Sequence, residues 1–160
     1  MENEILKILE NDARTTTKQI SAMTGTSGAE VSKLIKQAEK DRIILKYKAI
    51  INWDKVKNEQ VWALIEVKLT PEKDVGFDSV AERIYRFPQT RTVYLISGTY
   101  DLFVLVTGKN NHEIADFVSQ KLSHIEGVQG TVTQFVLKRY KEDGEIIEEK
   151  EEVKRQLVIL

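Results

Sequence analysis

Apolar positions over residues 1–41 recur with helical spacing. Ile5, Leu6, Ile8 and Leu9 occupy one face of a helix over residues 2–11, and the polar run Asn11-Asp-Ala-Arg-Thr-Thr16 interrupts it. Thr16 with Gln19 three residues later has the form of a capping box. It opens a short second helix expected to bury Ile20 and Met23 and to stop at Gly25, a natural left-handed cap. Ser27 and Glu30 repeat the box, so a third helix is predicted to about Asp41, with Val31, Leu34, Ile35 and Ala38 facing inward. The stretch Ile43-Ile-Leu-Lys-Tyr-Lys-Ala-Ile-Ile-Asn-Trp53 is β-branched and partly alternating, and reads as a strand or hairpin leaving the helices.

From Val61 the period changes to two. Val61, Ala63, Ile65, Val67 and Leu69 alternate with other residues until Pro71 breaks the strand. Phe77, Val80, Ala81 and Ile84 return to helical spacing, and two strands over 91–97 and 102–107 flank Gly98-Thr-Tyr-Asp101. A helix from about Asn111 carries Ile114, Phe117, Val118 and Leu122 and ends near Gly127, and a long strand is predicted over 128–138. The order β-α-β-β-α-β predicts a ferredoxin-like antiparallel sheet with both helices on one face. The fold class is therefore α+β: a three-helix, winged-helix-like unit over 1–52, a hinge over 53–60, a ferredoxin-like domain over 61–140 and a charged extension over 141–160.

A helix, a glycine-containing turn and a second helix form a DNA-binding unit when the second helix has a free face. Here Lys33, Lys36 and Lys40 fall at i, i+3 and i+7, opposite the apolar stripe. Ser27, Gly28, Ala29 and Ser32 are small, so the start of that helix can approach base edges, and its unpaired amides and positive dipole end favour phosphate. Thr15, Thr16 and Thr17 open the preceding helix as further phosphate contacts.

Net charge is −1, which by itself argues against a nucleic-acid binder, but the charge is unevenly spread. Residues 1–60 hold 11 Lys and Arg against 9 Asp and Glu, residues 61–140 hold 9 of each, and residues 141–160 hold 4 against 7. The front third is mildly basic and much of the acidity lies in the last twenty residues. The apolar end Leu157-Val-Ile-Leu160 is expected to pair with a sheet edge or a neighbouring subunit.

There is no cysteine, which removes disulfides, thiolate nucleophiles and sulfur-ligated zinc. His112 and Asp116 at i, i+4, with His124 ending the same helix, make a metal pair imaginable, and a capping or surface role suits them better; no metal or cofactor is expected. Paired carboxylates, a phosphate loop and a nucleophile elbow are all missing, so an enzyme is not expected. With no signal-like start and no apolar run near 18 residues, the expected location is the cytoplasm, away from membranes. The alternative to a regulator is an oligomeric small-molecule-binding or scaffold protein whose helix-turn-helix serves only packing.

Taken in order, several short pieces match one known pattern: Asp12-Ala-Arg14, Gly25-Thr-Ser27, Val31, Ile43-Ile-x-Lys-Tyr-x-Ala49, Ser97-Gly-Thr-Tyr-Asp101 and Gly127-Val-x-x-Thr-x-Thr133. Over residues 1 to about 140 the chain resembles the Lrp/AsnC family of transcription regulators. Leu34 replaces an expected Arg and Arg42 an expected Gly. The resemblance implies a regulator that binds a pseudo-palindromic operator in double-stranded DNA, assembles with itself into dimers and rings of dimers, and commonly binds an amino acid. It places the effector near Gly98, Thr99, Tyr100 and Asp101, with Asp101 as partner for an ammonium and Gly98 opening backbone amides to a carboxylate. Thr131 and Thr133, on one side of the last strand, are candidates to add hydroxyls. Read from the residues alone, the hairpin also suits a plain connection, since Gly and Asp are turn formers.

Overall fold

The computed structural model describes residues 1–56, 60–70 and 76–147, in two compact units, Met1–Ile50 and Ile51–Leu160. The first unit holds three helices: α1 (Glu2–Asn11), α2 (Thr17–Thr24) and α3 (Gly28–Lys40). Both predicted N-caps form. The Thr16 hydroxyl accepts the Gln19 amide while Gln19 Oε1 accepts the Thr16 amide at 2.8 Å, and Ser27 Oγ accepts the Glu30 amide at 3.3 Å. Between them Gly25 takes the left-handed conformation, φ 69°, so the chain reverses without a Cβ clash.

Ile5, Leu9, Ile20 and Val31 make a small core, with Ile8, Leu34, Ile35 and Ile44 packed against it. Met23, expected inside, is 64% exposed. The inward row of α2 runs Thr17, Ile20, Ser21 and Thr24, and Ser21 Oγ donates to the Thr26 carbonyl at 2.6 Å. Met23 lies off that row, on an open groove shared with Met1 and Ile8.

α3 ends in a Schellman motif. The Arg42 amide donates to the Glu39 carbonyl at 3.2 Å and the Ile43 amide to the Ala38 carbonyl at 2.9 Å, with Arg42 itself at φ 58°. The expected strand over 43–53 is corrected: no strand forms there, and Trp53–Val56 is a turn of 3₁₀ helix. A β-branched stretch becomes a strand only against a partner, and none of the described strands pairs with it. Ile43, Leu45, Tyr47, Ile50 and Ile51 are left exposed. Residues 57–59 of the expected hinge, Pro71 and residues 148–160, including the apolar end 157–160, lie outside the described residues.

The second unit runs β1 (Val61–Leu69), α4 (Phe77–Tyr85), β2 (Thr90–Leu95), β3 (Leu102–Gly108), α5 (Asn111–Gln120) and β4 (Val128–Phe135). All neighbours in the sheet are antiparallel, in the order β2-β3-β1-β4, the ferredoxin-like arrangement. Ala63, Ile65, Val67 and Leu69 of β1 and Leu102, Val104 and Val106 of β3 point to one face. They pack there with Val80 and Ile84 of α4, Ile114 and Phe117 of α5, and Leu122 and Ile125 beyond it. Each of the larger side chains, Ala63 aside, contributes about 1.5–3 kcal/mol on burial. Phe87 meets Phe117 edge to face at 5.3 Å.

α5 reaches the sheet closely because β3 ends in glycine: a Cβ on Gly108 would lie 2.9 Å from Ile114 Cγ1. β4 stops at Phe135, short of the expected 138. β1 begins at Val61, so beyond the Val136 amide, which donates to the Trp62 carbonyl, the described residues offer no further ladder partner. The chain then forms a two-rung hairpin, β5 (Lys141–Glu142) with β6 (Glu145–Ile146). It is held by the Asn52 side-chain amide donating to the Ile147 carbonyl at 2.9 Å.

Candidate functional site

Two regions carry chemistry, one in each unit. In the first, the exposed side of α3 presents Lys33, Lys36 and Lys40, none of which makes an ion pair among the described residues. Gly28 and Ala29 are exposed at its start, and their amides have no helical carbonyl to bond. Ser32 is half-buried one turn on. Two expected phosphate contacts are already engaged as caps: the Ser27 hydroxyl on the Glu30 amide, and the Thr16 hydroxyl on Gln19, to whose Oε1 it also donates at 2.7 Å. Thr17 is half-buried on the inward row of α2. What remains on the free side is backbone amide, small side chains and lysine.

Tyr47 steadies the exit from α3 by donating its hydroxyl to Glu39 Oε1 at 2.9 Å. Partial burial, and then that carboxylate, raise its pKa above the ordinary 10.0.

In the second unit the chain bends through Ser97–Tyr100 between β2 and β3. Gly98 and Thr99 are exposed, and Tyr100 and Asp101 are half-buried. Asp101 is tied at every polar atom. Its carbonyl accepts the Ile96 amide at 2.9 Å and its amide donates to the Val67 carbonyl at 3.0 Å. Oδ2 accepts the Leu69 amide at 2.8 Å, and the Lys68 ammonium lies 3.1 Å from Oδ2 and 3.3 Å from Oδ1. The carboxylate thus continues the β1–β3 ladder one step past the Val67–Leu102 pair, as a side-chain substitute for the next carbonyl. Its pKa lies below the ordinary 3.8, mainly because the Leu69 amide bonds the ionised form; burial opposes the shift and Lys68 adds to it.

Thr131 and Thr133 stand opposite Val67 and Ile65, so they share the helix-covered face of the sheet. Lys68 projects from the other face. The fold therefore groups Gly98, Thr99, Tyr100, Asp101 and Lys68, and sets the two threonines apart from them, across β1. Lys68 escapes a reading of the sequence because no motif contains it; its one signal is the alternation of β1, which turns it away from Val67 and Leu69.

His112 lies 3.4 Å from Asp116 and is 86% exposed, a surface pair. Among the described residues no group of three His, Cys, Asp or Glu is placed to hold a metal, and no helix is long and apolar enough to cross a membrane.

Comparison with known proteins matches both units. A family model described as the Lrp/AsnC ligand binding domain covers residues 62–146, and one described as a winged helix-turn-helix DNA-binding unit covers residues 2–44. An uncharacterized HTH-type transcriptional regulator of Bacillus subtilis, YugG, is 46% identical over 98% of this chain and 95% of its own. The HTH-type transcriptional regulator FL11 of Pyrococcus furiosus is 30% identical over 91% and 93%. Both of these relatives carry the name of transcriptional regulators. Among solved structures, a Neisseria meningitidis transcriptional regulator in complex with L-Met superposes with a TM-score of 0.70 at 25% identity, over 88% of this chain and 90% of that one. The leucine response regulatory protein LrpA of Mycobacterium tuberculosis reaches 0.75 at 18%, over 92% and 97%, a likeness of fold. A helix-turn-helix with a free lysine face, joined to a ferredoxin-like domain that matches a ligand-binding model, makes this chain a member of the Lrp/AsnC family of transcriptional regulators.

Proposed function

We propose that the protein binds a pseudo-palindromic operator as a homo-oligomer and that an amino acid, or a related small metabolite, bound at the Gly98–Asp101 hairpin alters that binding. The observation that carries the DNA half is the start of α3, where exposed Gly28 and Ala29 sit beside Lys33 and Lys36, which make no ion pair among the described residues. Small residues let the helix end enter the major groove, and lysines beside it neutralise phosphates. Two heads related by two-fold symmetry would meet DNA about one turn apart, roughly 34 Å.

Assembly is supported by apolar surface left open in the single chain. Tyr94 is 60% and Val132 39% exposed, and Leu64 and Phe103 are half-buried, on the sheet face opposite the helices. Such a face is costly in water and suits a second copy.

The effector half rests on the hairpin and on the match to a ligand-binding domain, with the Neisseria neighbour's L-Met complex favouring an amino acid. An effector's ammonium and carboxylate would share the Asp101–Lys68 ion pair, and Gly98 exposes backbone beside it. Thr131 and Thr133 have no part in this reading because they lie on the other face of β1.

The test is fragment binding by the full chain against salt. Lys33→Ala with Lys36→Ala should weaken binding at all sequences and lower the slope of log K against log salt by about 0.9 for each phosphate no longer neutralised. An unchanged slope would favour a head that serves packing. Calorimetry with the common amino acids tests the sensor separately.

A further inference from the structure

A second cavity, of about 310 Å³, opens at the end of the sheet away from the hairpin. β3 runs from Leu102 beside the hairpin to Gly108 beside this cavity, a separation of roughly 20 Å at the rise of a strand. Gln60, Gln89, Arg91, Thr107, Lys109 and Glu113 line it. The volume lies at the small end of ligand pockets, and the lining is polar and apolar in about equal parts.

The side chains are arranged, not scattered. Thr107 is 5% exposed, and its hydroxyl accepts Arg91 Nε at 2.9 Å. That bond orients the guanidinium and leaves both terminal amino groups without a partner among the described residues, the fork that grips a carboxylate in two parallel bonds. Lys109 is exposed beside it, and its ammonium likewise makes no ion pair among the described residues. Glu113 uses Oε2 on the Lys109 amide at 2.7 Å and has Oε1 left over. Gln89 is fastened by its carbonyl to the Thr107 amide at 2.9 Å, while its side-chain Oε1 is sealed from water and accepts no hydrogen bond. An acceptor in that state is costly unless a donor reaches it.

We propose that this cavity is a small-molecule site separate from the hairpin, taking a small carboxylate that carries a hydroxyl or amino donor next to its acid group. Arg91 and Lys109 hold the carboxylate. The donor turns toward Glu113 Oε1. Two cations against one carboxylate leave the empty cavity with a net positive charge, which favours an anion.

Isothermal titration of the full chain with L-malate, L-glutamate and inorganic phosphate tests this. Malate or glutamate should bind saturably, with Arg91→Gln or Lys109→Gln weakening it by at least about ten-fold, the effect of removing one charge-assisted hydrogen bond. Both residues are exposed, so the variants keep their fold, which circular dichroism checks. Asp101→Asn should leave this binding intact. Binding by phosphate alone, no binding by any probe up to about 10 mM, or binding indifferent to both cations would overturn the proposal. Binding lost in Asp101→Asn and kept in Arg91→Gln would place the ligand at the hairpin, overturning this site while leaving the sensor reading intact.

Discussion

Replacing Asp101 separates its structural role from a role in effector binding. Its carboxylate does two things in the folded chain: it accepts the Leu69 amide at 2.8 Å and pairs with the Lys68 ammonium at 3.1 Å. A hydrogen bond from a backbone amide to a charged acceptor contributes about 1.5–3 kcal/mol, and losing it strands the Leu69 N–H at the strand end. The Lys68 side chain is 39% exposed, so solvent reduces that pair to about 0–1 kcal/mol. Asp101→Ala loses both and should cost about 2–3 kcal/mol. Asp101→Asn keeps an oxygen for Leu69 and should cost about 1 kcal/mol. For a unit of this size each kcal/mol lowers the melting temperature by about 4–8 °C.

The pH dependence gives an independent check. Because the folded carboxyl titrates below the ordinary 3.8, the unfolded chain takes up its proton first. The stabilisation is therefore complete above about pH 4 and is lost as pH falls through the lower, folded value. Thermal melts of wild type and Asp101→Asn should stand apart at pH 7 and converge below about pH 4. Equal stability at pH 7, or curves that stay parallel into acid, would refute the strand-end clamp. Loss of effector binding with stability unchanged would assign the carboxylate to the ligand instead.

Other consequences are equally direct. Arg42 holds the left-handed position of a Schellman motif at φ 58°, so Arg42→Gly should stabilise the first unit by about 0.5–1 kcal/mol, read by denaturant melts. Gly108→Ala puts a methyl 2.9 Å from Ile114 Cγ1 and should destabilise the second unit by about 1–3 kcal/mol in the same melts. Ile20 is fully buried in a core of four side chains, so Ile20→Ala should cost about 2–5 kcal/mol. Fragment binding should fail in that variant while the circular dichroism of the sheet persists.

Local signals were enough to determine much of this protein. The capping box at Thr16, the N-cap serine at 27, glycine at position 25 and the period-two run from Val61 act within a few residues, and each produced the element it predicts. The order of those elements then set the sheet, since β-α-β-β-α-β has few compact solutions. Tertiary structure decided what depends on a neighbour distant in the chain. Met23 is exposed because the inward row of α2 passes beside it, which no helical repeat of eight residues reveals. Ile43–Trp53 has the residues of a strand and no partner among the described strands. The family resemblance makes Asp101 a partner for an effector; folding brings the Lys68 ammonium to both its oxygens and the Leu69 amide to one of them. Thr131 and Thr133 are separated from it by the parity of β4 against β1, a single step of register that moves a side chain to the other face. Hydrogen bonds and faces of this kind are relations between segments, so they exist only once the chain has closed on itself.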